Sequence, residues 1–376
     1  MAAKTTKTAT KSENKQAVFR FLQRTGSATK QELFGGLDLS LPTIRQSLDY
    51  LEAEGLVRKA EVIKNTGGRN AVSYQVNGDG RYAAGLYFSK NHLTAVCVDL
   101  DGEVVSRKRI RIEMDLHEDA CLRKLGELTE EVIREAGIDK EKLVGVGIAV
   151  PSLVSENGEY IIFGMTNDFS GITRTVLSRY LSYPTRMFHD SDAAGFAEIW
   201  KEQDSRKAFF INLNSSIGGA FIQDSRIYAG ENSRAAEIGH MILYPGGKTC
   251  YCGKKGCFDT ACNAGVLEAL TDGSLQEFFD RLAQRDGEAE KLWEEYLDNL
   301  ALAVHNIRML FDCSIILGGY IGSYMEPYLH RLRKRADDLS IFGDHAEEYL
   351  FLSKYQKEST AAGAAIRVLD EMIQKI

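Results

Sequence analysis

Residues 235–262 read AAEIGHMILYPGGKTCYCGKKGCFDTAC and contain four of the seven cysteines of this 376-residue chain. One histidine and three of these cysteines follow the spacing H-x9-C-x-C-x4-C, namely His240, Cys250, Cys252 and Cys257. Three thiolates and one imidazole form a closed tetrahedral ligand set, which is typical of a structural zinc ion. The alternative is a group of reduced thiols that bind no metal.

The rest of the chain has the composition of a globular protein. It is 44% hydrophobic and 26% charged, and its length predicts two or three domains. The first twenty residues contain no apolar run long enough for a signal peptide or a membrane span, so we expect a cytoplasmic protein without a membrane partner. Although the net charge is −7, residues 1–76 carry 12 Lys and Arg against 7 Asp and Glu, which favours contact of this part with a polyanion.

Residues 13–76 predict a winged helix-turn-helix domain that binds DNA, preceded by a disordered basic tail over residues 1–12. Three short helices are expected from near Asn14, in TKQELFGGL and after Ser40, followed by strands at Leu56–Ile63 and Ala71–Val76. The strands are joined by KNTGGRN, a hairpin tip that could place Arg69, next to Gly68, in a minor groove. The alternative is a small helical cap or a protein-docking domain.

The third helix carries the expected base-reading face. Ser40 can cap it, and its apolar residues recur at helical spacing and face the core: Ile44, Leu48 and Leu51. This arrangement leaves a polar set on the other side near the helix N-terminus, where a recognition helix meets DNA: Thr43, Arg45, Gln46 and Ser47.

From Arg81 onward the pattern changes to β-β-β-α-β and recurs more loosely later in the chain. This body resembles the ROK family of bacterial sugar kinases and sugar-responsive transcriptional repressors. Besides residues 235–262, the resemblance is carried by GVGIAVPSLVSENG (145–158), HDSDAAGFAE (189–198), IILGGYIG (315–322) and STAAGAA (359–365).

The resemblance implies an α/β fold of two ribonuclease-H-like lobes, as in actin and hexokinase, with a final helix that returns to the first lobe. The expected lobes are residues 82–186 plus 358–376 and residues 187–357, the second containing the zinc site. In this family the repressor members carry a fused N-terminal module, as this chain does.

The resemblance also implies a sugar site between the lobes. Its expected residues are Asn167, His189, Asp190, Glu237, His240 and Asp259. His189 stands where relatives usually have Asn, and Asp259 where they usually have Glu, so the pattern of accepted sugar hydroxyls is expected to differ.

The two phosphate-binding loops of kinase members are altered here. Tyr87–Asn91 replaces a loop with one acid and two glycines, and NSSIGGA (214–220) has Asn214 and Ser216 where glycines are expected. We therefore expect no catalytic residue, although Asp190 occupies the position of the kinase base. The leading interpretation is a sugar-responsive repressor that binds operator DNA as a homodimer or dimer of dimers. The alternatives are a ROK sugar kinase with an accessory domain and a regulator that docks another protein.

Overall fold

The computed structural model describes residues 2–60, 72–89, 91–164, 169–201, 207–355 and 357–376, with side chains from residue 11 onward. The N-terminal module contains three helices and three short strands. They are α1 (Ala2–Thr25), β1 (Ala28–Thr29), α2 (Lys30–Gly36), α3 (Leu41–Ala53), β2 (Val57–Lys59) and β3 (Ser73–Val76). The strands pair antiparallel in the order β1-β3-β2. The expected wing tip, with Gly68 and Arg69, lies outside the described residues.

Capping residues set the starts of α2 and α3. The Thr29 side chain accepts a hydrogen bond from the Glu32 amide at 3.2 Å, and the Thr29 amide donates to the Glu32 carboxylate at 2.7 Å. This reciprocal pair is a capping box, which satisfies two amides that the helix itself cannot pair. Ser40 caps α3 by accepting from the Thr43 amide at 3.3 Å, as the sequence predicts.

The packing of helix α3 shows that one of the expected DNA-binding residues, Ser47, is buried. Ile44, Leu48 and Leu51 are fully buried, as their spacing predicts. Ser47, which the sequence interpretation placed on the outward face, is also buried, with only 4% of its surface exposed. It follows Ile44 by three residues, so a helix of about 3.6 residues per turn brings it to the inward face. Ser47 is therefore not available to DNA.

The beginning of the chain also differs from expectation. Instead of a disordered tail over residues 1–12, helix α1 extends from Ala2 to Thr25. The Ser12 hydroxyl donates a hydrogen bond to the backbone carbonyl of Ile376, the last residue of the chain. A local composition pattern could not predict this contact, because its two partners are separated by almost the whole sequence.

The first lobe is built on a five-stranded sheet. Its elements are β4 (Tyr82–Ser89), β5 (His92–Asp99), β6 (Val104–Arg111), α4 (Asp119–Ala136), β7 (Leu143–Val150), β8 (Leu153–Val154), β9 (Ile161–Phe163), α5 (Arg174–Leu177), β10 (Thr185–His189) and α6 (Asp190–Ile199). The sheet order is β6-β5-β4-β7-β10, with an antiparallel meander at one side and parallel pairing of β4, β7 and β10. The expected lobe boundary at residue 187 falls inside β10.

The second lobe repeats this topology. Its elements are β11 (Ala208–Leu213), β12 (Ile217–Gln223), β13 (Arg226–Ile227), α7 (Asp259–Cys262), α8 (Ala264–Glu268), α9 (Leu275–Ala283), α10 (Gly287–Phe311), β14 (Ser314–Gly318), α11 (Gly319–Gly322), α12 (Leu329–Leu339) and β15 (Leu350–Leu352). The sheet order is β13-β12-β11-β14-β15. In both sheets the first strand in sequence is the central one, the second and third lie on one side of it, and the fourth and fifth lie on the other. This internal repeat confirms the two-lobed α/β architecture.

The last helix, α13 (Ser359–Ile373), returns to the first lobe, as the resemblance implies. It packs on β4 and β7 at backbone distance: a Cβ at Gly85 would lie 1.9 Å from the carbonyl oxygen of Ala361. Only glycine permits this approach. Among the helices of the described residues, none is both long and apolar enough to cross a membrane.

Candidate functional site

A cavity of about 470 Å³ opens between the two lobes. Four of the expected sugar-binding residues line it: His189, Asp190, Glu237 and His240. Small-molecule sites are typically clefts of this size, with mostly apolar walls and a few polar groups that fix the ligand. The cavity therefore has the dimensions and lining of a small-molecule site.

The sheet of the first lobe positions one wall. Tyr87 on β4 pairs with Ala149 on β7, and the next residue, Val150, pairs with His189 on β10. Because parallel strands end at the same edge of a sheet, Tyr87, His189 and Asp190 meet there. Asp190 is the first residue of α6, where the helix dipole favours a negative charge.

Asp190 is buried and surrounded by hydrogen-bond donors. It accepts from the Ser191 amide at 2.6 Å and from the Ser191 hydroxyl at 3.1 Å, and His189 Nε2 lies 3.3 Å from the same carboxylate. Burial raises the pKa of Asp190, while the charge of His189 and the bonds from Ser191 oppose that rise. Burial raises the pKa of Tyr87 well above its ordinary value, and the charge of the nearby Asp190 carboxylate adds to the rise.

His189 forms the centre of an acidic cluster. Its ring nitrogens lie 3.3 Å from Asp190, 3.7 Å from Asp192 and 3.8 Å from Glu237. Burial alone would lower the pKa of His189, but the adjacent carboxylate of Asp192 and the charges of Asp190 and Glu237 raise it to about 10. The imidazole is therefore protonated at neutral pH, and its charge lies against the carboxylate of Asp190.

The segment Glu237–His240 supplies the opposite wall. Ile238–His240 forms one turn of 3-10 helix that packs on β12, where a Cβ at Gly239 would lie 2.2 Å from the carbonyl oxygen of Ile217. Burial raises the pKa of Glu237, with the charge of His189 opposing the rise. The segment thus presents Glu237 and His240 to the cavity on a rigid support.

The expected metal ligands converge next to the cavity. The ligand atoms of His240, Cys250, Cys252 and Cys257 all lie within 4.8 Å of one another. Cys250 Sγ is 3.8 Å from His240 Nδ1, and Cys252 Sγ is 3.7 Å from Cys257 Sγ. Two sulfurs at about 2.3 Å from a tetrahedral ion would be about 3.8 Å apart, so this donor set fits a metal ion.

The histidine of this set connects the metal cluster with the cavity. His240 Nδ1 faces Cys250, while Nε2 lies 3.3 Å from the Tyr251 hydroxyl, a residue that also lines the cavity. Metal-binding histidines usually hydrogen-bond through their second ring nitrogen, which fixes the orientation of the ring. Tyr251 is such a partner. In the sequence, only its position between two of the expected metal-ligand cysteines indicated this role.

One further expected sugar residue does not line the cavity. Asp259 is buried and does not reach it: its carboxylate accepts from the Ile217 amide at 2.7 Å and from the Asn263 side chain at 3.1 Å. The short Asp side chain therefore supports the start of β12 instead of facing the cavity. Asn167, another expected sugar residue, lies outside the described residues. Sequence reasoning assigned no ligand contact to two polar residues that line the cavity: Ser152, which lies in the stretch 145–158 that carries the resemblance, and Arg234, which lies just before residues 235–262.

The altered phosphate loop of the second lobe is filled by its own side chains. Asn214 donates to Asn212 at 2.9 Å and accepts from the Tyr320 amide at 2.7 Å, and Asn212 donates to Ser191 at 3.3 Å. A loop that cradles phosphate needs free backbone amides and open space. Here Asn214 engages an amide that follows β14, so the loop is closed by an internal hydrogen-bond network.

The candidate DNA-binding residues of α3 differ in their exposure. Arg45, with 74% of its side chain exposed, and Gln46 lie on the outer surface, while Thr43 is half-buried. Arg45 Nε is 3.7 Å from Asp49, a pair that is exposed and hence weak. The outward face of α3 thus offers polar side chains near its N-terminus.

The sequence of the two-lobed body matches a known protein family. The family model described as "ROK family" matches residues 84–371, the whole two-lobed body. The chain belongs to the ROK family. This ROK protein is 20% identical over 360 residues to the xylose repressor of Caldicellulosiruptor bescii, covering 90% of each chain. It is 23% identical over 282 residues to the N-acetylglucosamine repressor of Escherichia coli O6:H1, covering 73% of this chain and 68% of that one.

Among solved structures, the ROK protein is similar to a ROK family transcriptional regulator that is a homologue of the E. coli MLC protein. The TM-score is 0.73 with 22% identity, and the match covers 97% of each chain. The shared fold therefore includes the N-terminal module as well as the two lobes.

Proposed function

We propose that this ROK protein is a sugar-responsive transcriptional repressor without catalytic activity. The observation that carries the proposal is the fusion of the N-terminal module to the two-lobed body. The family model begins at residue 84, whereas similarity to the xylose repressor covers 90% of the chain and therefore reaches into the module. A sugar kinase needs no such module for catalysis, whereas a repressor needs one to bind DNA.

The module acts as a winged helix that binds operator DNA. Helix α3 enters the major groove with Thr43, Arg45 and Gln46, while Gly68 and Arg69, which the sequence predicts at the wing tip, are expected to reach the minor groove. Ser40 starts the helix at the groove. A homodimer places two such helices on half-sites about 34 Å apart. Arg45→Ala is expected to weaken operator binding, which falls steeply with salt as counterions are released.

A sugar effector binds between the lobes. His189, Asp190, Glu237 and His240 surround the cavity with charged and hydrogen-bonding groups, and the family resemblance adds Asn167 to the proposed set. Carboxylates and imidazoles bind adjacent sugar hydroxyls in this way. The effector is a hexose or a derivative such as an N-acetylated or phosphorylated sugar.

The ion held by His240 and the three cysteines is structural zinc. The donor set of three sulfurs and one nitrogen is characteristic of zinc and leaves no open position for a catalytic water. When bound, the ion supplies a rigid anchor for the segment that presents Glu237 and His240 to the sugar. The residues of the chain, not the ion, contact the ligand.

Three side chains occupy groups that a kinase would need for catalysis, so we expect no kinase activity. Asp190 keeps the position of a base, but the imidazolium of His189 lies 3.3 Å from its carboxylate and the phenol of Tyr87 lies nearby. Asn214 bonds the Tyr320 amide in the loop expected to hold phosphate. A base without a positioned phosphoryl group transfers nothing.

The function is tested by measuring operator affinity with and without sugars. Operator fragments selected from genomic DNA serve as the target, and xylose, glucose, N-acetylglucosamine and N-acetylglucosamine 6-phosphate serve as effectors. We expect one of these sugars to lower operator affinity by about 5–150-fold, the usual range of allosteric coupling. Asp190→Ala is expected to abolish both this response and the sugar-induced thermal shift while DNA binding persists.

Each alternative function has its own outcome in this test. Nucleotide-dependent phosphorylation of any of the sugars in a coupled assay would show that the protein is a sugar kinase, contrary to the proposal. DNA binding without a response to any sugar would favour a regulator that docks a protein. Retention of full DNA affinity after deletion of residues 1–76 would contradict the role of the N-terminal module.

A further inference from the structure

Helix α1 of the DNA-binding module is docked on the C-terminal helix of the body. The Gln16 side chain donates to the carbonyl of Gln374 at 2.8 Å, and the Ser12 hydroxyl donates to the carbonyl of Ile376. The apolar side of α1, including Phe19 and Leu22, belongs to the same hydrophobic cluster as Ile373. The module is therefore attached to the body by a packed interface in addition to the linker after β3.

Arg20 is the charged residue at the centre of this interface. Its guanidinium bonds the carboxylate of Asp370 on α13 and lies 4.6 Å from the ring of Trp200, which directly follows α6. The side chains of Arg20 and Asp370 are only 17% and 11% exposed, and Trp200 is 2% exposed. A planar guanidinium that pairs with a carboxylate and stacks on an indole holds both partners in one relative arrangement.

One partner of Arg20, Trp200, directly follows a helix that begins in the cavity, and the other, Asp370, lies on a helix packed against it. Helix α6 starts with Asp190 in the cavity and ends next to Trp200, so it spans about 15 Å from effector site to interface. Helices α6 and α13 touch at backbone level, because a Cβ at Gly363 would lie 1.9 Å from the carbonyl oxygen of Ala193. Such close-packed helices shift together instead of deforming separately.

We propose that Arg20 couples the cavity to the DNA-binding helices, by tying α1 to α6 and α13. The proposal rests on the function proposed above and names the route of its regulation. A ligand that contacts Asp190 shifts the N-terminal end of α6. The shift reaches Trp200 and α13, and the buried Arg20 contacts transmit it to α1 and from there to α3. Arg20 is a positioning residue, since it contacts neither the sugar nor the bases.

The experiment compares two arginines on the same helix. Arg20→Met removes the charge and the buried contacts while keeping an extended side chain. Arg24→Met removes the same charge from α1, but the guanidinium of Arg24 lies 5.3 Å from the ring of Phe21 on its own helix and is not paired with Asp370 or stacked on Trp200. Operator affinity and sugar affinity are measured for the full-length wild type and both variants, with the sugar panel above and with a selected operator fragment.

The measured quantity is the ratio of operator dissociation constants with and without sugar. We expect Arg24→Met to keep the wild-type ratio, and Arg20→Met to bring it to about 1 while each ligand alone still binds. Arg20→Lys, which keeps the charge but lacks the planar fork, is expected to give an intermediate ratio. A merely structural role would lower stability and leave the ratio unchanged.

The experiment distinguishes failure of the coupling role of Arg20 from failure of the proposed repressor function. An Arg20→Met protein that binds both ligands and keeps the wild-type ratio overturns the coupling role of Arg20 and leaves the repressor function intact. A wild-type protein that shows a ratio of about 1 with every sugar overturns the sugar-responsive function itself, and the coupling role with it. If Arg20→Met does not fold, Trp200→Phe, which removes the indole but keeps an aromatic ring, is measured in the same way.

Discussion

At the scale of single residues, His189 gives the cavity its unusual electrostatics. It stands where ROK relatives usually have Asn, and three carboxylates surround it at 3.3 to 3.8 Å. The charge of the imidazolium stabilises Asp190 and Glu237 as anions against the burial that raises their pKa values. A neutral Asn could hydrogen-bond to the same groups but could not supply this charge.

The pH dependence of stability tests this interpretation. The pKa of His189 is raised to about 10 in the folded protein, against about 6.5 in an unfolded chain. Its contribution to stability is therefore fully present below about pH 6.5 and is lost as the pH rises through about 10. We expect the difference in the free energy of unfolding between wild type and His189→Asn to narrow by on the order of 1–3 kcal/mol across that window.

Thermal or denaturant unfolding at a series of pH values measures this difference. Comparison with His189→Asn isolates the histidine from the acids, which titrate in both proteins. His92, on β5, is a suitable control because burial lowers its pKa to about 4, so it stays neutral across the same window. Parallel pH profiles for wild type and His189→Asn would contradict a protonated imidazole.

At the scale of structural elements, the metal-binding loop has little core of its own. Ile242, Tyr244 and Tyr251 are 53%, 44% and 45% exposed, and the loop pairs through two isolated bridges, Ile242–Cys257 and Thr249–Lys255. Leu243 and Phe258 anchor the two sides of the loop in the core, but these exposed side chains leave its middle in need of another source of order. A metal ion bound by His240 and the three cysteines would supply it by joining the two ends of the loop.

Removing one ligand tests the role of the ion. Elemental analysis of purified protein is expected to give about one zinc per chain, and Cys252→Ser is expected to lose the ion and to lower the melting temperature. Cys262→Ala is the matched control, because Cys262 lies in the same segment but its thiol contacts the Tyr296 carbonyl at 3.9 Å instead of the cluster. Native protein that folds well without zinc would contradict the assignment.

Loss of the ion is also expected to weaken ligand binding in the cavity. His240 belongs to both the metal cluster and the cavity, so Cys252→Ser is expected to weaken the sugar-induced thermal shift. The extent of this loss separates an ion that only stabilises the loop from one that also orients His240 toward the ligand.

At the scale of the whole molecule, two similar lobes enclose the cavity of His189 and Glu237, and the first of them carries the N-terminal module. A ligand changes DNA affinity only if it binds one lobe arrangement better than another. The linker after Val76 is short, and α1 adds a packed contact to α13, so the module follows the first lobe. If the protein binds the operator as the proposed homodimer, a change of lobe arrangement would alter the spacing of the two α3 helices.

Thermodynamic reciprocity provides the test at this scale. If a sugar lowers operator affinity by a factor of about 5–150, operator DNA must weaken sugar binding by the same factor. Titration of sugar into protein, with and without saturating operator, measures both sides of the cycle. Equal sugar affinity in the two titrations would exclude this mechanism, even if both ligands bind well.

The sequence by itself determined the local and the repeated features of the molecule. Helix caps at Thr29 and Ser40 depend on neighbours within three residues, and the metal ligands lie within eighteen residues of one another. The two α/β halves follow from hydrophobic periodicity, and the lobes and the returning helix follow from the family resemblance. Each of these features is encoded in a short stretch or in a recurring pattern, which a linear reading can detect.

Only the tertiary structure decided which polar side chains face the cavity and which are used internally. Asp259 turns to the Ile217 amide, Ser47 to the core and Asn214 to the Tyr320 amide, and in each case the partner or the packing that captures the side chain could not be assigned from the local pattern. The docking of α1 through Arg20 on Asp370 was equally hidden, since these residues are 350 positions apart. The physical reason is that a buried polar group takes the partner that packing brings to it, and packing is set by the whole chain.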